Sequence, residues 1–108
     1  MTVLATAITV ATGQGALAAD TSADAMNIAR KNACMGCHAV DRKLVGPSFE
    51  QIAGKYKGDV QAPARLETKV RNGGSGVWGV LPMPSHPSMD GADIKKVVGW
   101  ILAGAPPK

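Results

Sequence analysis

Apolar residues recur at helical spacing in several stretches of the chain, and no stretch alternates between apolar and polar residues for long. The clearest pattern lies near the carboxyl end, where Asp90 can cap a helix. An apolar stripe with Trp100 beside it follows that cap: Ile94, Val97, Val98, Ile101 and Leu102. Together these patterns predict an all-α protein with about four short helices.

Two helices are predicted in the first half of the chain. The first begins at Thr21 or Ser22. It places three small residues on one face, which would let another helix approach closely: Ala25, Ala29 and Ala33. The second follows a turn at Gly46-Pro47 and starts with a capping box formed by Ser48 and Gln51. Its apolar side would consist of Phe49, Ile52 and Tyr56.

The third predicted helix has Pro63 near its first turn and ends at Gly73. Leu66 and Val70 lie four residues apart on its apolar side. Residues 73–89 are rich in Gly, Pro and Ser and predict a long irregular loop before the last helix.

The first 19 residues carry no charged side chain, whereas all 20 Lys, Arg, Asp and Glu residues lie from Asp20 onward. A short apolar stretch followed by small residues predicts a secretory signal peptide over residues 1–19, cleaved near Ala18 or Ala19, although the usual basic start is missing. The alternative is an Ala- and Thr-rich N-terminal arm. The apolar run is too short and interrupted for stable membrane insertion. We therefore expect a periplasmic protein whose single domain spans residues 20–108.

That domain has little material for a hydrophobic core. The sequence contains one Phe, one Tyr and two Trp, but 13 Gly and seven Pro. Domains of this size usually need a disulfide, a metal or another added core element. A non-protein group is therefore expected at the centre of the fold.

The formal net charge is +4, and its basic side chains are scattered along the chain. Neither a long basic run nor interleaved aromatic residues are present, so nucleic-acid binding is not expected. A basic surface that meets an acidic protein partner fits this charge better.

The only two cysteines occur in Cys34-Met35-Gly36-Cys37-His38, which matches the Cys-x-x-Cys-His pattern of covalent haem attachment. Two thiols separated by two residues can reach the two vinyl groups of one porphyrin edge. His38 would then place an imidazole nitrogen under the iron as the proximal ligand. The sequence therefore predicts one covalent haem c, which would supply the missing core.

Three other uses of these cysteines fit less well. A structural zinc site needs four ligands, and the chain offers only two Cys with His38 and His86. A thioredoxin-like dithiol needs a βαβ context. A disulfide between Cys34 and Cys37 would close too small a loop to stabilise the fold much.

A second axial ligand would come from the long loop, and Met83 is the predicted one. Pro82 and Pro84 flank it and stiffen the chain on both sides. Ligation by His and Met raises the reduction potential. His86 would instead give a bis-histidine haem, and an iron without a sixth ligand would suit gas binding or peroxide chemistry. Two other methionines are expected to be core residues: Met26 and Met89.

With these motifs, the chain resembles the short bacterial class I cytochromes c of the five-fifty-one type from about Ile28 to Leu102. The resemblance rests on the joint spacing of the Cys-x-x-Cys-His motif, Gly46-Pro47, Trp78 and Met83. It implies a cytochrome c fold wrapped around one haem. The first and last helices would cross, with Ala29 or Ala33 meeting residues 100–101.

The resemblance also implies roles for single residues. The carbonyl of Pro47 would accept a hydrogen bond from the second ring nitrogen of His38. Trp78 would lie beside the haem and donate to a propionate, with Lys69 as a charged contact nearby. The chain departs from the family at His86, where relatives commonly carry Asn.

The function implied by the resemblance is electron transfer without catalysis. A monomeric carrier would exchange single electrons with respiratory partners that have acidic docking faces, such as a quinol-oxidising complex and a terminal oxidase or reductase. One alternative is a haem c subunit bound tightly to a periplasmic dehydrogenase or reductase. Another is a haem enzyme or gas sensor with an open iron.

Overall fold

The computed structural model describes residues 2, 5–9 and 14–107. Residues 1, 3–4 and 10–13 of the predicted signal peptide lie outside the described residues. Ala18 and Ala19 lie within the described residues, in the first helix, and cleavage near them stays a prediction.

Four α-helices make up the described fold: α1 (Gln14–Lys31), α2 (Phe49–Lys55), α3 (Ala62–Asn72) and α4 (Gly91–Leu102). A single 3-10 turn follows α1 at Cys34–Gly36. The described residues contain no strand, only two isolated bridges, His38 with Lys43 and Gly74 with Met83. The prediction of an all-α fold with about four short helices is confirmed.

The first helix differs from its prediction at both ends. It begins at Gln14 rather than at Thr21 or Ser22, in a stretch rich in Ala, the residue with the highest helix propensity. Beyond Lys31, Ala33 adopts a left-handed conformation with φ of 61°. The prediction that Ala33 shares the buried helix face is therefore wrong, because the chain has already turned away and this residue is exposed.

The other helix ends follow the predicted local chemistry. The Ser48 hydroxyl accepts from the backbone N–H of Gln51 at 3.0 Å, and the Gln51 side chain accepts from the backbone N–H of Ser48 at 2.8 Å. Asp90 Oδ1 accepts from the N–H of Ala92 at 2.8 Å. Gly73 ends α3 at a positive φ of 69°. These contacts satisfy backbone groups that a helix end leaves unpaired.

The core forms where α1 crosses α4. Ala25 and Ala29 of α1 are fully buried and belong to one cluster with Trp100 and Ile101 of α4. The small side chains allow the two helices to approach closely. Phe49 of α2 packs edge-on against Trp100, with ring centroids 5.5 Å apart. The predicted crossing is therefore present, through Ala29 and not Ala33.

A second, smaller cluster joins the end of the long loop to α4. It contains Met89, Ile94 and Val98, and Leu66 and Val70 of α3 pack against it. No helix in the described part of the chain is long and apolar enough to span a membrane.

Candidate haem-binding site

An apolar cleft of about 350 Å³ lies between the turn after α1, the helices α2, α3 and α4, and the loop before α4. Its lining includes all seven residues predicted for the site: Cys34, Cys37, His38, Pro47, Lys69, Trp78 and Met83. Residues separated by up to half of the chain length thus meet around one space.

The two thiols are presented by the 3-10 turn. The N–H groups of Cys37 and His38 both donate to the carbonyl of Cys34, at 3.2 Å and 2.9 Å. The left-handed Ala33 ends α1 and starts this turn. Both cysteines are free and half-buried. Burial raises the pKa of the Cys34 thiol, and the neighbouring Cys37 adds to the rise.

The ring of His38 is fixed by its surroundings. Its Nδ1 lies 2.7 Å from the carbonyl oxygen of Pro47, the contact that the resemblance implies. Because a carbonyl oxygen only accepts, Nδ1 is the donor and Nε2 is left with a lone pair for a metal. The ring stacks on Phe49, with centroids 5.4 Å apart. A Cβ at Gly46 would lie 2.6 Å from the Cε1 of His38, so only glycine lets the chain pass this close.

Met83 lines the cleft from the loop before α4. Its N–H donates to the carbonyl of Gly74 at 2.8 Å, and its carbonyl accepts from the N–H of Gly74 at 3.0 Å. Three other methionines of the described chain do not line the cleft; they lie in or against the core: Met26, Met35 and Met89. Within the described residues, Met83 is therefore the thioether available to the cleft.

His86 does not line the cleft. Its ring Nε2 lies 3.2 Å from the backbone carbonyl of Asn32. The geometry therefore does not favour the bis-histidine alternative, because the ring is engaged elsewhere.

Trp78 lines the cleft from the loop, and Lys69 lines it from α3. Trp78 is 42% exposed, and the ammonium group of Lys55 lies 5.5 Å from the centroid of its ring. The same ammonium group lies 5.9 Å from the ring of Tyr56. Sequence reasoning missed Lys55, because nothing in the local pattern of α2 signals a contact with a loop residue 23 positions later.

The donors around the cleft suit a haem c. Two thiols and an imidazole with a free nitrogen come from one short segment, a thioether comes from the loop, and the remaining lining is largely apolar. By contrast, the described residues hold no group of three or more His, Cys, Asp or Glu side chains that could bind a metal ion. The zinc alternative therefore has no ligand set in that part of the chain.

Fold and site together define a small all-α haem protein with covalent attachment. The cytochrome c family model matches residues 22–105, and the chain belongs to this family. It is 47% identical over 75 residues to cytochrome c-551 of Allochromatium vinosum, covering 69% of this chain and 80% of that protein. It is 43% identical over 76 residues to cytochrome c-552 of Nitrosomonas europaea, covering 70% and 74%.

The crystal structure of wild-type Nitrosomonas europaea cytochrome c552 superposes with a TM-score of 0.70 at 42% sequence identity. The match covers 73% of this chain and 98% of that one. The chain is thus a class I cytochrome c, similar to the bacterial cytochromes c-551 and c-552. It is a monohaem electron carrier with one covalent haem c, and not an enzyme.

Proposed function

We propose that this cytochrome is exported to the periplasm, with residues 1–19 as its signal peptide, and carries single electrons between respiratory proteins there. The observation that carries the proposal is the cleft, in which thiols, imidazole and thioether converge from two separate segments. The uncharged first 19 residues support export.

In this proposal Cys34 and Cys37 would attach the haem, and His38 and Met83 would bind its iron. Haem c supplies an iron that alternates between the ferric and ferrous states. Pro47 holds the His38 ring through its carbonyl, so the ligand keeps one orientation. Trp78 and Lys69 line the cleft and would provide an N–H donor and a positive charge for the haem propionates.

Ligands held this firmly favour fast electron transfer. The His38 ring is confined by Pro47, Phe49 and Gly46, and the Met83 backbone is paired with Gly74. Because neither ligand has much freedom to move, the protein rearranges little when the charge of the site changes.

The surface around the cleft suits brief docking. Several of its apolar lining residues are strongly exposed: Val45, Val77, Val80 and Leu81. Lys43 and Lys69 also line the cleft, and the whole chain carries a net charge of +4. A small apolar contact surrounded by positive charge fits a weak complex with an acidic partner. The donor would be a quinol-oxidising complex, and the acceptor a terminal oxidase or reductase.

The ligand assignment is tested with Met83→Ala. We expect the haem to stay covalently attached, the reduction potential to fall and the ferric iron to bind added imidazole, because the thioether is gone. Met26→Leu is the matched control, since Met26 packs against the core and does not line the cleft. An unchanged potential in Met83→Ala would show that the iron has a different sixth ligand.

Two further parts of the proposal are tested in the native host: that the protein is in the periplasm, and that it is a monomer not bound to a larger enzyme. Cell fractionation should place the haem-stained protein in the periplasm. Gel filtration of that fraction should show it at the volume of a monomer. Co-elution with a larger dehydrogenase or reductase would instead support the alternative of a tightly bound haem subunit.

A further inference from the structure

His86 joins the loop that carries Met83 to two other parts of the fold. Its backbone N–H donates to the carbonyls of Val70 and Arg71 at the end of α3, both at 3.1 Å. Its ring Nε2 lies 3.2 Å from the carbonyl of Asn32, the residue that follows α1. Because a carbonyl oxygen only accepts, Nε2 carries a hydrogen and donates it.

The other ring nitrogen of His86 has no hydrogen-bond partner among the described residues. This atom, Nδ1, is buried. A buried polar atom without a partner is destabilising and uncommon in native proteins. An apolar side chain would fill the same space without leaving such an atom unpaired. The hydrogen bond from Nε2 is therefore the feature that a histidine adds at this position.

That hydrogen bond connects the two segments that form the haem site. Asn32 lies two residues before Cys34, and His86 lies three residues after Met83. The contact thus spans 54 positions of the sequence. The backbone of Met83 itself is held by the pair with Gly74. The Met83 segment is therefore fastened at Met83 and again three residues later, at His86.

We propose that His86 is a positioning residue for Met83: by tying the Met83 segment to the end of α1, it keeps the thioether on the iron. The proposal rests on the proposed role of Met83 as axial ligand. In this proposal His86 acts through its hydrogen bond to the backbone carbonyl of Asn32, two residues before Cys34, and not through direct contact with the haem.

The test is an imidazole titration of the haem-loaded ferric protein, followed by the far-red charge-transfer band of methionine-ligated ferric haem. His86→Phe keeps a flat ring but removes the donor, whereas His86→Gln keeps an N–H donor. Ser85→Ala, at the exposed neighbouring position, is the control. We expect imidazole affinity to rise about fivefold in His86→Phe, the effect of one lost hydrogen bond, and to stay within about twofold of wild type in the other two variants.

Equal imidazole affinity in His86→Phe and wild type would overturn the proposal, and so would an equal rise in the Phe and Gln variants. A measurement on the wild-type protein covers the case in which His86→Phe does not fold. Nitrogen NMR of the reduced, isotope-labelled protein should show the hydrogen of the His86 ring on Nε2, in slow exchange with solvent. A hydrogen found on Nδ1 instead would contradict the assignment.

The two proposals fail in different ways. If Met83 is not the ligand, the band is absent from the wild-type protein or survives in Met83→Ala. If only the role of His86 is wrong, the band is present in wild type, is lost in Met83→Ala, and responds to imidazole equally in wild type and His86→Phe.

Discussion

At the scale of single residues, Gly73 has two separate reasons to lack a side chain. Its φ of 69° and ψ of −162° lie in a region that is almost restricted to glycine. In addition, a Cβ at this position would collide with the carbonyl oxygen of Met83 and lie 2.8 Å from the backbone nitrogen of Ser85. The chain at position 73 can therefore pass this close to Met83 and Ser85 only as a glycine.

We expect Gly73→Ala to destabilise the protein by about 3 kcal/mol or more, because strain and collision add. Gly58→Ala is the matched control: its φ is 78°, but nothing lies within 4 Å of a Cβ there, so only about 1–2 kcal/mol should be lost. Urea unfolding followed by circular dichroism measures both. Equal losses would show that the close approach to Met83 contributes nothing.

The presence of thiol, imidazole and thioether groups in one cleft was largely predictable, because the signal for these residues is local. The spacing of Cys34, Cys37 and His38 is contained in five consecutive positions, and two prolines mark Met83. The hydrogen bond of His86 to Asn32 could not be predicted, since the two residues lie 54 positions apart. The position of Lys55 beside Trp78 depends in the same way on how distant segments pack.

At the scale of elements, the crossing of α1 and α4 depends on small side chains. Ala29 is fully buried at this contact, in the same cluster as Trp100. A larger side chain would push the helices apart or force nearby side chains out of their preferred rotamers.

Ala29→Leu is therefore expected to lower the free energy of unfolding by about 1–3 kcal/mol. Asn27→Leu, on the exposed face of the same helix, should change it by about 0.5 kcal/mol or less. Thermal unfolding of the two haem-loaded variants gives the comparison. Similar losses for both would mean that helix propensity or solubility, and not the tight crossing, governs the effect.

Helix positions were predicted better than the ends of α1. The caps at Ser48, Asp90 and Gly73 have short sequence signals, and each helix end lies where its signal indicates. The three-alanine pattern extended through Ala33, but periodicity alone does not reveal that the chain must leave the helix to present the thiols of the next turn. The left-handed Ala33 is a non-glycine residue in a conformation that favours glycine.

At the scale of the whole molecule, charge decides how fast a small redox reagent reaches the cleft. The net charge of +4 is carried entirely by residues 20–108, so removal of residues 1–19 leaves it unchanged. Positive residues such as Lys43 and Lys69 line the cleft itself. A positive field should therefore surround the cleft.

We expect the rate of oxidation by an anionic reagent to fall as salt is added, and the rate with a cationic reagent to rise. The reason is screening: the Debye length shrinks from about 30 Å at 0.01 M to about 10 Å at 0.1 M ionic strength. Stopped-flow rates measured across this range provide the test. If the rates with both reagents changed in the same direction as ionic strength rises, the electrostatic field at the cleft would not follow the net charge of the chain.

The crossing of α1 with α4 has a consequence for biosynthesis. The main core needs Trp100 and Ile101 of α4, which the ribosome adds after α1, α2 and α3. The nascent chain therefore cannot close its core before α4 has been synthesised. Until then the small-residue face of α1, with Ala25 and Ala29, has no helix to cover it, so folding of the main core has to wait for a segment that lies about 70 residues further along the chain.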